Sequence, residues 1–246
     1  MGAWNEFEIA GHACEAYTPA KLSKHPGAVI YLHDREQTSL LEKETFLQEF
    51  DRHGLRVLCP QTGQSWWADR IHRDFDPELS AERFVLDKVM PWLAANWQVE
   101  PPQVALLGCE MGGQGALRIS YKHPNVFPIV AAIAPALDYQ IYVEDRDPAL
   151  TRMYQEVETA RQDTATLHIH PLNWPRNQWF CADPNDFYWH DSAERLRMKL
   201  YSLGVPYEGD FETAAENTGW PYYVKMVGPA MNFISERLDA ERRRVV

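Results

Sequence analysis

A carboxylate stands where the chain is expected to turn most sharply. Residues 104–120 read VALLGCEMGGQGALRIS, an apolar run, a Gly-rich turn and the start of a helix. That order is the G-x-Nuc-x-G elbow, which lifts one side chain off the end of a strand. A serine at the tip would attack an acyl carbon, but the tip here is Glu110. Three chemistries suit a carboxylate at that point. It could rest at a helix N-terminus, which favours negative charge by about 0.3–1 kcal/mol. It could attack carbon itself, forming an ester that water must then cleave. It could join Asp34, Asp186 and His33 around a hard divalent cation, which prefers oxygen ligands. Without a cation, crowded carboxylates raise one another's pKa until one is protonated. No metal-ligand spacing occurs in the sequence, so no metal or cofactor is expected. The plainest alternative is a Gly-rich helix start that only packs.

The elements that must hold this turn alternate along the chain. Strand patterns at 4–10 and 12–19 read as a hairpin around Gly11, and further strands fall at 28–34, 55–61, 103–109, 127–137, 178–184 and 205–213. Helical spacing covers 39–54, 80–97, 111–124, 190–204 and 220–244, with two short helices around 147–154 and 155–162. Pro91 and Gly228-Pro229 should each bend their helix. Alternating βα units of this length imply a parallel sheet covered on both faces. The 246 residues are 45% hydrophobic, and no linker or repeat divides them.

Composition also excludes partners. A formal net charge of −11 argues against nucleic acid and anionic membrane, which need a basic patch. The ERRR at 241–244 reads as a solvated helix end, and the longest apolar run, 129–137, is too short to span a bilayer. No secretory signal is visible at the N-terminus. Cys14, Cys59, Cys109 and Cys181 lack disulfide or ligand spacing and read as buried apolar groups in a reducing cytoplasm. Trp66, Trp67 and Trp174 fall in loops, where they could line a pocket or fill loop bases. His168 and His170 read as structural, and His12, His25, His53, His72 and His123 as surface or turn residues.

The string GCEMGGQGAL, together with LRVLCPQTGQSWWADR, KHPNVFPIVAAIAPALDY, FCADPNDF and the terminal GW-PYY segment, resembles the esterases of the esterase D and S-formylglutathione hydrolase type. Their elbow reads like G-x-S-M-G-G-x-G-A. The resemblance covers most of the chain and implies an α/β-hydrolase fold, a single domain over 1–246 with a mostly parallel sheet and helices on both faces. It also implies a nucleophile, an acid, a histidine and a pair of oxyanion-binding amides. Glu110 falls on the nucleophile and is followed by Met111. Asp186 falls on the acid, with Asp183 as the alternative, although ordinary turn chemistry would explain both. Alignment on Trp220 puts Thr218 on the histidine, and threonine cannot hold a proton as imidazole does. In the oxyanion loop His33-Asp34 stands where the family carries His-Gly, and a carboxylate there would repel developing negative charge.

Haloalkane dehalogenases, other relatives of the fold, use an elbow aspartate as nucleophile and a histidine to free the product. With Thr218 in place, that role would need His33 or His190. The expectation is an esterase relative without classical serine-hydrolase activity that binds a small-molecule or ester-like ligand, or a protein partner, as a homodimer or with an active paralogue. The alternative is an active carboxylic-ester hydrolase, or a carboxylate-nucleophile hydrolase using Glu110. The expected pocket and oxyanion loop comprise His33, Asp34, Met111, Trp66, Trp67 and Trp220.

Overall fold

The computed structural model describes residues 2–24 and 27–244, so the reading of His25 lies outside the described residues. The chain opens with β1 (Ala3–Ile9) and β2 (His12–Thr18), an antiparallel hairpin. Its turn residues Ala10 and Gly11 have φ of 50° and 83°, the left-handed pair that suits a two-residue hairpin. β3 (Ala28–Leu32), α1 (Glu44–His53) and β4 (Arg56–Pro60) follow. A long helical stretch comprises α2 (Ala81–Phe84), a π-helical turn (Val85–Val89) and α3 (Met90–Trp97). Then come β5 (Val104–Cys109), α4 (Met111–Lys122) and β6 (Ile129–Ile133). Three short helices follow β6: α5 (Gln140–Glu144), α6 (Pro148–Met153) and α7 (Val157–Gln162). β7 (Asn177–Cys181), α8 (Phe187–Leu203), β8 (Glu208–Asp210) and α9 (Trp220–Arg244) complete the chain.

The eight strands form one sheet in the order β1-β2-β4-β3-β5-β6-β7-β8, parallel from β4 onward. Every residue of β3, β5 and β6 is buried, as strands covered on both faces require. One apolar layer packs the sheet under the 81–97 helix and α4, and the other packs it under α1 and α9. This is the α/β-hydrolase arrangement. All four cysteines are free and buried. Among the described residues no helix is long and apolar enough to cross a membrane.

Two helix starts differ from the sequence expectation for local reasons. α1 starts at Glu44 instead of 39 because Thr38 and Ser39 turn their hydroxyls to the Asp34 and Glu15 carboxylates. α8 starts three residues early, at Phe187, because the Asp186 side chain accepts the Trp189 N–H at 3.4 Å and caps it. Pro91 follows the π-helical turn, a widened turn that absorbs the missing N–H within one helical stretch. Residues 220–244 form a single helix that includes Pro229.

Buried charge ties the helices of one face together. Arg118 on α4 is 1% exposed and pairs with Glu82 on α2 and with Asp163 after α7. Lys122 and His123 also reach Glu82, at 2.6 Å and 2.9 Å. Burial pushes the Glu82 carboxyl up, but the His123 hydrogen bond and the Arg118 and Lys122 charges hold it at about 2. At the C-terminal end the ERRR reading needs correction: Glu241 is buried, bound by Arg176 and Asn177. His72, read as a surface or turn residue, is also buried, at 4% exposure.

Candidate active site

Two glycines make the elbow sterically possible. A Cβ on Gly112 would lie 1.8 Å from the Leu32 carbonyl oxygen, and one on Gly108 2.2 Å from that of Gly112. The helix can therefore start against the strand ends, with Glu110 at its N-cap position, φ 49° and ψ −112°. A positive φ at a non-glycine residue costs on the order of 1–3 kcal/mol and needs support from its surroundings. The support is backbone hydrogen bonding. The Glu110 N–H donates to the Ile133 carbonyl, and its own carbonyl accepts from the Gln114 and Ala136 N–H groups, each at 3.0 Å.

The Glu110 side chain turns back on the same backbone. Its Oε2 accepts the Arg35 N–H at 2.8 Å. Burial raises the Glu110 pKa above the usual range. The Met111 and Arg35 amides and the Arg35 charge oppose that rise, and the Asp34 charge adds to it. In α/β-hydrolases the oxyanion is held by the amide after the nucleophile and an amide of the loop after the first parallel strand. Met111 and Arg35 occupy those two places in this chain, and the Arg35 amide donates to the Glu110 carboxylate.

Glu110 forms one wall of a cavity of about 360 Å³. Asp186, Thr218, Gly219, Trp220, Asp34, Arg35 and Glu36 line it as well, together with Trp189 and Tyr223. Thr218 is exposed at its edge. The Asp186 carboxyl is raised, chiefly by burial, while its bond from the Trp189 amide opposes the rise and the Asp183 charge adds to it. Asp183 accepts the Asn185 and Ala215 N–H groups, at 2.8 Å and 3.3 Å, and so fastens the turn to the 211–219 loop. Asp34 is also engaged: it accepts the Thr38 N–H at 2.9 Å, the Thr38 hydroxyl at 3.1 Å and the Trp220 indole N–H at 3.0 Å.

Four residues expected in the pocket do not line it. His33 is buried beneath the loop, its Nδ1–H donating to the Asp34 carbonyl at 2.8 Å and its Nε2 accepting the Thr62 N–H at 3.1 Å. Burial lowers its pKa to about 4, so the ring is neutral and both nitrogens are occupied. Trp67 packs at 4.9 Å from His33, fills the space over Gly115 and donates its indole N–H to the His33 carbonyl at 3.2 Å. Trp66 packs between Tyr139 and Tyr142, at 5.0 Å and 5.5 Å. The Met111 side chain is fully buried. Loop position alone did not reveal that 62–67 is a core-filling clasp.

His190 is not a cavity residue either; its Nε2 lies 3.3 Å from the Phe211 carbonyl. Among the described residues no histidine lines the cavity, and no three His, Cys, Asp or Glu side chains gather as a metal site would require. The reading of Asp34, Glu110, Asp186 and His33 as a cation site therefore has no geometric support. Arg35, Trp189 and Tyr223 were not anticipated. Tyr223 could have been found from its i+3 spacing to Trp220 at the start of the closing helix.

A strand–elbow–helix at the end of a parallel sheet, with a cavity at its tip, defines the α/β-hydrolase class. The chain belongs to the family described as Putative esterase, which matches residues 15–201. It is similar to the diacylglycerol acyltransferase/mycolyltransferase Ag85A of Mycobacterium tuberculosis, 30% identical over 94 residues, which are 36% of this chain and 28% of the relative. It is 23% identical over 117 residues to the S-formylglutathione hydrolase of Mus musculus, covering 40% of this chain and 42% of the relative. The chain thus spans less than half the length of these curated relatives. Among solved structures, the S-formylglutathione hydrolase of Agrobacterium tumefaciens superposes with a TM-score of 0.78 at 17% identity, over 96% of this chain and 94% of that one. The serine hydrolase FphF of Staphylococcus aureus gives 0.77 at 13% identity, over 95% and 98%. These likenesses show the fold.

Proposed function

We propose that this esterase-family chain lacks classical serine-hydrolase chemistry and uses the cavity at its elbow to bind a small molecule. One observation carries the reading: the Glu110 carboxylate accepts the Arg35 N–H at 2.8 Å. Acyl transfer needs preorganised donors free to receive the charge that develops on the substrate oxygen. Here the Glu110 carboxylate already takes the Arg35 amide, and its own charge opposes a second anion at that place. A proton acceptor is also wanting, since Thr218 stands where the family resemblance puts histidine and His33 is turned into the protein. Asp186 on the cavity wall has no imidazole to orient and caps α8 instead.

Hydrolysis of p-nitrophenyl acetate tests this. The expected rate equals the uncatalysed background and does not change in Glu110→Gln. Turnover above background that disappears in Glu110→Gln would contradict the reading and make Glu110 a nucleophile. Cytoplasmic residence and assembly with a second copy or an active paralogue belong to the same proposal. Light scattering tests the homodimer: the 28.5 kDa monomer mass alone would remove it.

A further inference from the structure

We infer that the elbow cavity takes a small organic ammonium cation, held by the Glu110 and Asp186 carboxylates against the Trp189 and Tyr223 rings. The inference rests on the ligand-binding reading above and names its ligand class. Four carboxylates line the cavity, on Asp34, Glu36, Glu110 and Asp186, against one cationic residue, Arg35. That cation is engaged at the rim. Its guanidinium carbon lies 4.7 Å from the Tyr142 ring centre, and its Nη1 lies 3.7 Å from Asp147. Asp34 is taken up by Thr38 and Trp220. Glu110 accepts one backbone N–H, that of Arg35, but a carboxylate has about four acceptor sites, which leaves capacity for a ligand N–H.

Tyr223 supplies the independent observation. Its side chain is 6% exposed and forms part of the cavity wall. Its hydroxyl makes no hydrogen bond among the described residues and is not closed off from the cavity. A hydroxyl open to the cavity can take a hydrogen bond from what enters it. An ammonium N–H can donate to that oxygen, to Glu110 and to Asp186, while the aromatic faces attract its charge. The rim already shows this chemistry with the chain's own groups, since Lys43 Nζ lies 4.2 Å from the Trp220 ring centre. A cavity of about 360 Å³ accommodates one ring or a short chain behind the ammonium. An anion of the same size would face the carboxylates, and a neutral molecule would leave their charge uncompensated.

Isothermal titration of the full chain with benzylammonium, benzyl alcohol and benzoate tests the inference. Benzylammonium is expected to bind one-to-one, at least ~10-fold more tightly than benzyl alcohol, with benzoate weakest. Asp186→Asn and Tyr223→Phe should each weaken benzylammonium ~5–10-fold, whereas Glu8→Gln, on the distant β1, should leave it unchanged. The comparison of the three probes needs no variant, so a misfolded mutant cannot decide it. Benzoate or benzyl alcohol binding as tightly as benzylammonium, or equal weakening in Glu8→Gln, would overturn the inference. Absence of benzylammonium binding in a protein that does not turn over esters would sink this inference and leave the loss of hydrolase chemistry intact. Ester turnover would sink the latter instead.

Discussion

On the proposed reading Glu110 replaces more than a nucleophile. Its carboxylate takes the Arg35 amide, so a serine at the same position would free that amide without supplying a base. Glu110→Ser is therefore expected to show little esterase activity. Glu110→Ser/Thr218→His should exceed it by ~10²-fold, at the low end of what a general base contributes. Adding Asp34→Gly should raise the rate further by removing a charge that disfavours the oxyanion. Initial rates with p-nitrophenyl acetate measure the series, and full activity in Glu110→Ser alone would reveal a base already present. His33 is not that base. Its nitrogens are taken by the Asp34 carbonyl and the Thr62 amide, and burial lowers its pKa to about 4. Nothing in the sequence marks that orientation, because it depends on the partner loop at 62–67 and on no spacing near residue 33.

At the scale of elements, the elbow depends on how closely α4 approaches β3 and β5. Gly112→Ala would put a methyl group 1.8 Å from the Leu32 carbonyl oxygen, a backbone atom that cannot yield. Loss of more than about 4 kcal/mol or failure to accumulate as folded protein is expected, measured by thermal unfolding or soluble yield. An unchanged melting temperature would contradict the packing account. Much of this level was legible beforehand. The apolar runs read at 28–34 and 103–109 announced the covered strands observed at 28–32 and 104–109, and the Gly-rich string announced the turn between strand and helix. Strand-end positions also bring Glu110, Asp186 and Thr218 to one cavity. The tryptophans at 66–67 were less legible. Two adjacent residues carry no periodicity, and both adopt φ of 53°, a conformation that points them inward and that sequence pattern does not encode. The start of α1 was obscured in the same way, since Thr38 and Ser39 bond to distant carboxylates.

At the scale of the whole molecule, buried ion pairs hold together the helices on one face of the sheet. Glu82 ties α2 to α4 through Arg118, Lys122 and His123. Its carboxyl is held at about 2 against an ordinary 4.5, so its contribution is fully present above pH 4.5 and is lost as pH falls towards 2. Glu82→Gln should cost about 3 kcal/mol or more at neutral pH, because Arg118 keeps its charge in a buried place. Urea unfolding across pH should show that deficit shrink as acidification protonates the wild-type carboxylate. A deficit independent of pH would contradict the role given to Glu82. Glu110 and Asp186 run the other way. Their raised values mean that their ionisation weakens the fold as pH rises, so acidification relieves that burden. The site is thus the part of the molecule that gains from protons, while the staple behind it is the part that loses.

The central claim is that the elbow carries a carboxylate held in its own oxyanion site and no reactive serine. Intact-mass spectrometry after incubation with a fluorophosphonate probe tests it most directly. The account predicts an unmodified 28.5 kDa chain. A single stoichiometric adduct on a serine would contradict it.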